Sequence, residues 1–483
     1  MAAKTPRSAR ADIEITGPIL GTPVLMLAEF DLRAQGYLTE EYFVSGDAVS
    51  YQPVGPLSED GNWQVAPAET APYRTRIVVV RPADASKFNG TVVVEWLNVS
   101  RGIDFAPDWI CLHREIMRSG FAYVGVSAQR VGLEGGLSLE PDNLPLKQAD
   151  PARYHALSHP GDAFAYDIFS QAGMIIKGSA TGKVLGPLTA KRLLAIGDSQ
   201  SAIFLTTYVN AIDRLARVYD GFFIHARFAP GAPLDGASIL NSPTTMPQSA
   251  RLCSDLRVPT MTVLAETDVI GANVRGFFHA RQDDNDLLRI WEIAGASHAN
   301  NYLATVGFID SSSASIPELA AAYAPTDDFF GMKLAKAMDY DPQQHYVMES
   351  ALLHLDRWTA TDKAPPKGPR LETIGGDKDR PLPQLVLDAN GNAKGGIRTP
   401  WVDVPIARMS GIGNSGSVAA GLTGVTEPFD HTTLGRLYPG GRDEYLAKFR
   451  RALDSAIESG FILPADRAEI ELVAAAMYPT HGV

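Results

Sequence analysis

Ser199 has the clearest chemical address in the chain. It lies in residues 192–205 (RLLAIGDSQSAIFL), where the apolar run Leu193-Leu194-Ala195-Ile196 enters Gly197-Asp198-Ser199-Gln200-Ser201 and a helix-competent run leaves. This pattern predicts a strand–turn–helix corner so tight that only small residues fit two before and two after the serine. Gly197 and Ser201 meet that demand. A serine held there exposes its hydroxyl, and the amide of Gln200 opens a helix, aimed at negative charge forming beside it. The chemistry that fits is attack on a carbonyl carbon. The same spacing recurs at Gly413-Asn414-Ser415-Gly416-Ser417. There it has no strand before it and no helical pattern after it, and it reads as a flexible loop.

A serine needs a base, and the base needs an acid to orient it. Downstream, 258–265 (VPTMTVLA) reads as a buried strand ending in Glu266-Thr267-Asp268, and 287–293 (LLRIWEI) reads as another, followed by Ala294-Gly295-Ala296-Ser297-His298. Both strand ends fall on the sheet edge where Ser199 emerges, so His298 is the candidate base. Asp268 is the preferred acid, with Glu266 as the alternative two residues away. His225 also ends a strand-like run (FFIH) but precedes the acid; it reads as a packed or pocket-lining residue. Trp96 and Trp109 are read either as walls of an acyl pocket or as core filling.

The elements that must position these groups alternate. Residues 12–52 look like β-hairpin material, with strand-like runs at 13–15, 24–26 and 42–44. Runs 76–80 (RIVVV) and 91–96 (TVVVEW) are rich in β-branched residues and read as an antiparallel pair. A helix over 109–118, a strand over 121–126 and a helix over 162–177 lead to the Ser199 corner. Alternation of this kind predicts a mostly parallel sheet covered by helices on both faces. Two long irregular stretches, 131–160 and 228–257, read as lid insertions, the second as the cap that selects substrate. The core with these insertions is expected over 1–310. Residues 311–483 are expected to be a helical and β-hairpin region packed on it, either as a layer over the site or as a small accessory domain. Within that region, a helix around 345–358, strands at 385–388 and 401–404, and helices at 441–459 and 464–478 are expected.

Composition narrows the function. The chain has 483 residues, 45% hydrophobic and 20% charged, with a formal net charge of −12 and a mean hydropathy near zero. Without a Lys/Arg-rich block, nucleic acid and anionic membranes are poor partners. No apolar run is long enough to span a membrane. Two cysteines, Cys111 and Cys253, provide neither a disulfide framework nor a metal cluster, so no metal and no organic cofactor is expected. The first residues (MAAKTPRSARADIEI) lack the apolar stretch of a signal peptide, which makes the cytoplasm the default location. The oligomeric state is left open.

Taken together, residues 90–98 (GTVVVEWLN), 120–129 (GFAYVGVSAQ), 195–201 (AIGDSQS), 265–268 (AETD), 295–298 (GASH) and 395–405 (GGIRTPWVDVP) resemble the α/β-hydrolase superfamily. Within it the chain looks most like the bacterial "alpha/beta hydrolase domain" esterases with an extended C-terminal region. The resemblance implies an α/β-hydrolase fold and a Ser199–Asp268–His298 triad cleaving a small-molecule carboxylic ester through an acyl-enzyme. It implies an oxyanion hole built from the Gln200 amide and a donor after residues 91–96. The usual HGGG segment is replaced by Asn98-Val99-Ser100, and the Val99 amide is the favoured second donor. Ser201 stands where the superfamily more often has glycine. The same triad would serve amide, thioester or lactone hydrolysis or C–C lysis, and a hydrolase scaffold also serves non-catalytic binding proteins.

Overall fold

The computed structural model describes residues 13–139, 144–178, 181–240, 246–272, 274–376 and 382–479. The basic N-terminal residues and small parts of both expected lids (140–143 and 241–245) lie outside the described residues. Nine strands form the central sheet: β1 (Glu14–Thr16), β2 (Tyr37–Pro53), β3 (Val65–Pro82), β4 (Thr91–Trp96), β5 (Ala122–Val126), β6 (Arg192–Asp198), β7 (Gly221–His225), β8 (Thr260–Leu264) and β9 (Leu288–Glu292). Their order is β1-β2-β3-β5-β4-β6-β7-β8-β9. Pairing is antiparallel from β1 to β5 across β3, and parallel from β5 to β9. This is the α/β-hydrolase fold that the sequence implies.

Side-chain alternation assigns the two faces. Val92, Val94 and Trp96 of β4 share a core with helix α2 (Ala165–Lys177) and helix α3 (Gln200–Thr207), whereas Val93 faces the core of helix α1 (Pro107–Arg118). A short helix, α4 (Glu266–Ile270), follows β8, and α5 (Gln344–Thr361) packs on β7, β8 and α1. Helix α5 therefore covers the sheet, although it lies beyond the boundary at 310 expected from sequence. Helices α6 (Gly441–Glu458) and α7 (Arg467–Met477) close the chain, at nearly the expected positions. Among the described residues, no helix is long and apolar enough to cross a membrane.

Several local expectations are corrected. Residues 76–80 and 91–96 are not partners: β5 lies between β3 and β4, because the β4–α1–β5 crossover returns its strand to the inner side of β3. Residues 24–26 are not a strand. Trp401 lies in a helical turn, Pro400–Asp403, where Pro400 presets a helical φ at the first position. Among its described residues, the segment 228–257 does not line the cavity at Ser199. It packs beside α3 and the β2–β3 connection: Tyr166 donates to the carbonyls of Ala232 and Pro233, and Arg251 N–H to Glu59. Its anchor is the buried Arg227, whose guanidinium donates to the carbonyls of Phe228, Ala229 and Ala250.

Two buried charge centres tie distant segments to this frame. Arg76 on β3 donates to Glu41 on β2 (3.0 Å), to Asp104 in the loop after β4 (2.9 Å) and to Ser127 Oγ (3.0 Å), all out of water. Glu41 also holds Arg153 and Tyr154 of the 131–160 insertion. At the other end, Glu266 accepts the amides of Gly295 (2.6 Å) and Gly411 (2.8 Å). It thereby joins the segment before His298 to the C-terminal ladder of β10 (Ala407–Ser410) and β11 (Val425–Pro428). Helix α1 receives α7 in the same way, through Arg114 to Asp310 and Glu469.

Removing one member of a buried ion cluster leaves the others desolvated and unpaired. Arg76→Met should cost about 3–5 kcal/mol in unfolding free energy by urea titration, and a loss under about 1 kcal/mol would contradict that account. Burial pushes the Glu266 carboxyl up to about 7, against the two amides that favour its charge. Between the unfolded value and 7, the group is protonated when native and ionised when unfolded. Its contribution is present at low pH and lost as pH rises through that window, a fall of about 3 kcal/mol. Glu266→Gln should flatten the curve of denaturation midpoint against pH between about 4.5 and 7; parallel curves for the two proteins would refute this.

Candidate active site

Strand β6 ends at Asp198, and α3 starts at Gln200, leaving Ser199 alone at the corner with φ 55° and ψ −115°. A non-glycine residue held there costs about 1–3 kcal/mol, and the surroundings enforce it. Ser199 N–H donates to the His225 carbonyl (3.0 Å). A Cβ added at Gly197 would lie 3.0 Å from Ser201 Cβ and from Leu205 Cδ1. Only glycine avoids that crowding.

The corner faces the end of β9. Ser199 Oγ lies 2.8 Å from His298 Nε2, and His298 Nδ1 lies 2.5 Å from Asp268 Oδ1. Asp268 is fixed by accepting the Ala265 amide on its other oxygen (2.6 Å), and His298 N–H donates to Thr267 Oγ1 (3.1 Å). Phe228 stacks on the imidazole at 5.1 Å between ring centroids. Burial opposes charge on His298, but attraction and a hydrogen bond from Asp268 outweigh it and raise its pKa above the ordinary histidine value. Glu266, the alternative acid, points elsewhere, to the amides of Gly295 and Gly411.

The structure treats the other site candidates unequally. The Gln200 N–H is the first of α3 and has no acceptor within its own helix. The Val99 amide does not face the serine: it donates to Gln200 Oε1 (3.2 Å), and Val99 is buried. The loop folds back on itself, with Asn98 and Phe105 exchanging both backbone hydrogen bonds at 2.9 Å, and this turns Val99 inward. The Ser100 amide is likewise held by Asn98 Oδ1 (2.8 Å). Asn98 does line the cavity at Ser199. Its Nδ2 donates to the Asp198 carbonyl (3.1 Å) and carries a second hydrogen. Trp96 is corrected from pocket wall to core. As the outward alternate of β4 it packs on Tyr166, Phe169 and Phe204 and donates to Gln129. Trp109 is core as well, donating to the Leu27 carbonyl.

Beneath the serine lies a second histidine–carboxylate cluster that the sequence did not expose. His225 Nδ1 is 3.0 Å from Asp108 Oδ1 and 3.1 Å from Asp198 Oδ1, with all three side chains buried. Its Nε2 meets the Gln344 side chain at 3.2 Å; turning that amide lets Oε1 accept there while its nitrogen donates to the Ser297 carbonyl and Asp341. Burial works against the charge, yet the two carboxylates hold the imidazolium up to about 10. His225 is therefore a cation at neutral pH and cannot act as a base. The address of His225 at a strand end was readable. Asp108 and Gln344, 117 and 119 positions away from it, gave no local signal.

Ser199, His298, Asp198 and Asn98 open onto a cavity of about 70 Å3. Its walls are apolar and come from separate parts of the chain: Phe105, Leu139 and Leu303, then Phe329 and Phe330, then Ala419 and Leu422. The second serine motif, 413–417, contributes no residue to this lining. Its Asn414 is bonded to the Gly424 carbonyl (2.8 Å) and to Lys336.

A family model described as alpha/beta hydrolase domain matches residues 5–471. No curated protein matches the sequence. Among solved structures, the thermostable esterase of Pseudomonas putida aligns at 12% identity with a TM-score of 0.27. That alignment covers 50% of this chain and 66% of that one, so slightly less than two thirds of the esterase is spanned. A Klebsiella pneumoniae chain assigned by name as a dienelactone hydrolase aligns at 15% identity with a TM-score of 0.30, covering 56% of this chain and 93% of its own. With the family model spanning nearly the whole sequence, the chain belongs to the alpha/beta hydrolase domain family.

Proposed function

We propose that this protein is a serine hydrolase of carboxylic esters. One observation carries the reading: an unbroken relay from Ser199 Oγ through His298 to Asp268, at 2.8 and 2.5 Å, opening onto an apolar cavity. In the reaction, Ser199 Oγ bonds to the ester carbonyl carbon as its proton passes to His298 Nε2. Asp268 stabilises the resulting imidazolium. The carbon–oxygen bond to the alcohol breaks, and the alkoxide leaves with the proton from His298. Water then attacks the acyl-enzyme, gives a proton to His298, and releases the carboxylic acid while Ser199 recovers its hydrogen.

The negative oxygen formed in each half-reaction needs two donors. The Gln200 N–H is one, reinforced by the start of α3. Asn98 Nδ2 is the other, in place of the Val99 amide. Each such donor is worth about 2.7–4 kcal/mol of transition-state stabilisation. The neighbouring His225 imidazolium offsets one of the two negative charges that Asp108 and Asp198 bring toward that oxygen.

Ser199→Ala should lower kcat/KM for p-nitrophenyl acetate by about four orders of magnitude or more while leaving the thermal transition in place; activity retained within tenfold would remove the assignment. The base must be neutral to work, and Asp268 raises the His298 pKa. The acid limb of the kcat/KM profile should therefore lie above the ordinary histidine value. Asp268→Asn should move that limb to lower pH and reduce the rate by about 10⁴, whereas Glu266→Gln should do neither. A larger rate loss in Glu266→Gln than in Asp268→Asn would transfer the acid role.

A further inference from the structure

One residue of the cavity wall, Phe330, has a strained backbone. Phe330 sits at the tip of a two-residue ladder in which Asp328 and Phe329 pair with Lys333 and Met332. Its backbone has φ 51°, the left-handed region that a bulky side chain rarely adopts, although the glycine suited to that region, Gly331, is the very next residue. The conformation is clamped. Gly331 N–H donates to Asp328 Oδ1 (2.9 Å), and Leu334 N–H donates to the Asp327 carbonyl (2.7 Å). The Phe330 ring meets Phe105 edge-on at 5.9 Å, and the Arg101 guanidinium lies 4.0 Å over its face. Phe105 is itself locked to Asn98 by the paired backbone bonds that shape the loop beside Ser199. A strained residue held by contacts on both faces, at the mouth of a site, is a candidate for a functional constraint.

The size of the space it closes is restrictive. A dry apolar cavity of about 150 Å3 accepts one benzene ring. The 70 Å3 beside Ser199 therefore accommodates about half as many carbons. The polar groups that line it are Ser199, His298, Asn98, Ser100, Arg101 and the Asp198 carboxylate paired with His225. Resting on the hydrolase reading above, we infer that the substrates are esters of short acyl groups of about two to four carbons, and that Phe330 sets this limit. The alcohol portion then lies toward the half-buried rim of Arg101 and Leu139.

The test uses the full-length protein and kcat/KM for p-nitrophenyl acetate, butyrate and octanoate. Misfit costs about 10–200-fold per methylene in a closed apolar pocket. Butyrate should therefore exceed octanoate by about 100-fold or more in the wild type. Phe330→Ala should shrink that ratio by about tenfold or more, and Phe330→Trp should widen it and favour acetate. Should Phe330→Ala fail to fold, Phe330→Leu gives the same comparison with less loss of packing. Octanoate turned over as well as butyrate by the wild type would overturn the inference. So would an unchanged ratio in a folded Phe330 variant. Absence of ester turnover by the wild type, unaltered by Ser199→Ala, would overturn the hydrolase reading and this one with it.

Discussion

The rest of the site depends on a backbone constraint at one residue. Ser199 is the last point of β6 and the threshold of α3, and its φ of 55° projects the hydroxyl away from both. No single neighbour enforces this. The Ser199 amide is tied to the carbonyl of His225 on the adjacent strand, Gly197 leaves room for Ser201, and Asn98 holds the carbonyl of Asp198 from the other side. Strain at one residue is tolerable because two buried strands, β6 and β7, and the loop after β4 share it. The sheet is the instrument that fixes the Ser199 hydroxyl.

Electrostatics around the corner follow from where the strands end. β6 and β7 deliver Asp198 and His225 side by side, and α1 brings Asp108 against them. Three buried ionisable groups would be costly if any one stood alone; together with the amide of Gln344 they pair with one another, leaving Asp108 Oδ2 without a partner. His298 and His225 therefore have opposite duties although both end strands at the same edge. His298 has one carboxylate on Nδ1 and a hydroxyl on Nε2, so its Nε2 can exchange a proton with the serine. His225 has carboxylates on one nitrogen and an amide oxygen on the other, and it stays charged.

A mostly parallel sheet, helices on both of its faces and the strand-end positions of Ser199, Asp268 and His298 were legible because each depends on a local pattern: β-branched runs, small residues around a turn, a polar residue just past an apolar strand. Trp96 shows where that reading runs out. Being next to the site in sequence does not decide which face of β4 a side chain takes, and alternation sent it to the core with Phe169 and Phe204. Val99 fails for a related reason. Whether its amide is free depends on a side chain 101 positions later, Gln200. The 228–257 segment looked like a cap because it is long and rich in turn residues, yet buried Arg227 and its carbonyl partners bind it to the flank instead. Phe329, Phe330, Ala419 and Leu422 had no signature at all, since a wall residue needs only to be apolar and in the right place.

That last group explains why the C-terminal third is not an accessory. Glu266 holds Gly295 and Gly411 together, and Thr267 both donates to the Gly411 carbonyl (2.6 Å) and accepts the amide of His298. The Ala299 amide donates to the Leu422 carbonyl (2.9 Å). The histidine is therefore suspended between β8 on one side and the β10–β11 region on the other. Neither side fixes it alone: β8 supplies the Asp268 partner of Nδ1, and the C-terminal region supplies the bonds that keep the loop from swinging. An imidazole must stay within hydrogen-bond reach of both its acid and its serine, and small displacements are expensive for a reaction that depends on orientation. The same segments that hold it also wall the cavity, so pocket shape and the position of His298 are set by one packing arrangement rather than two.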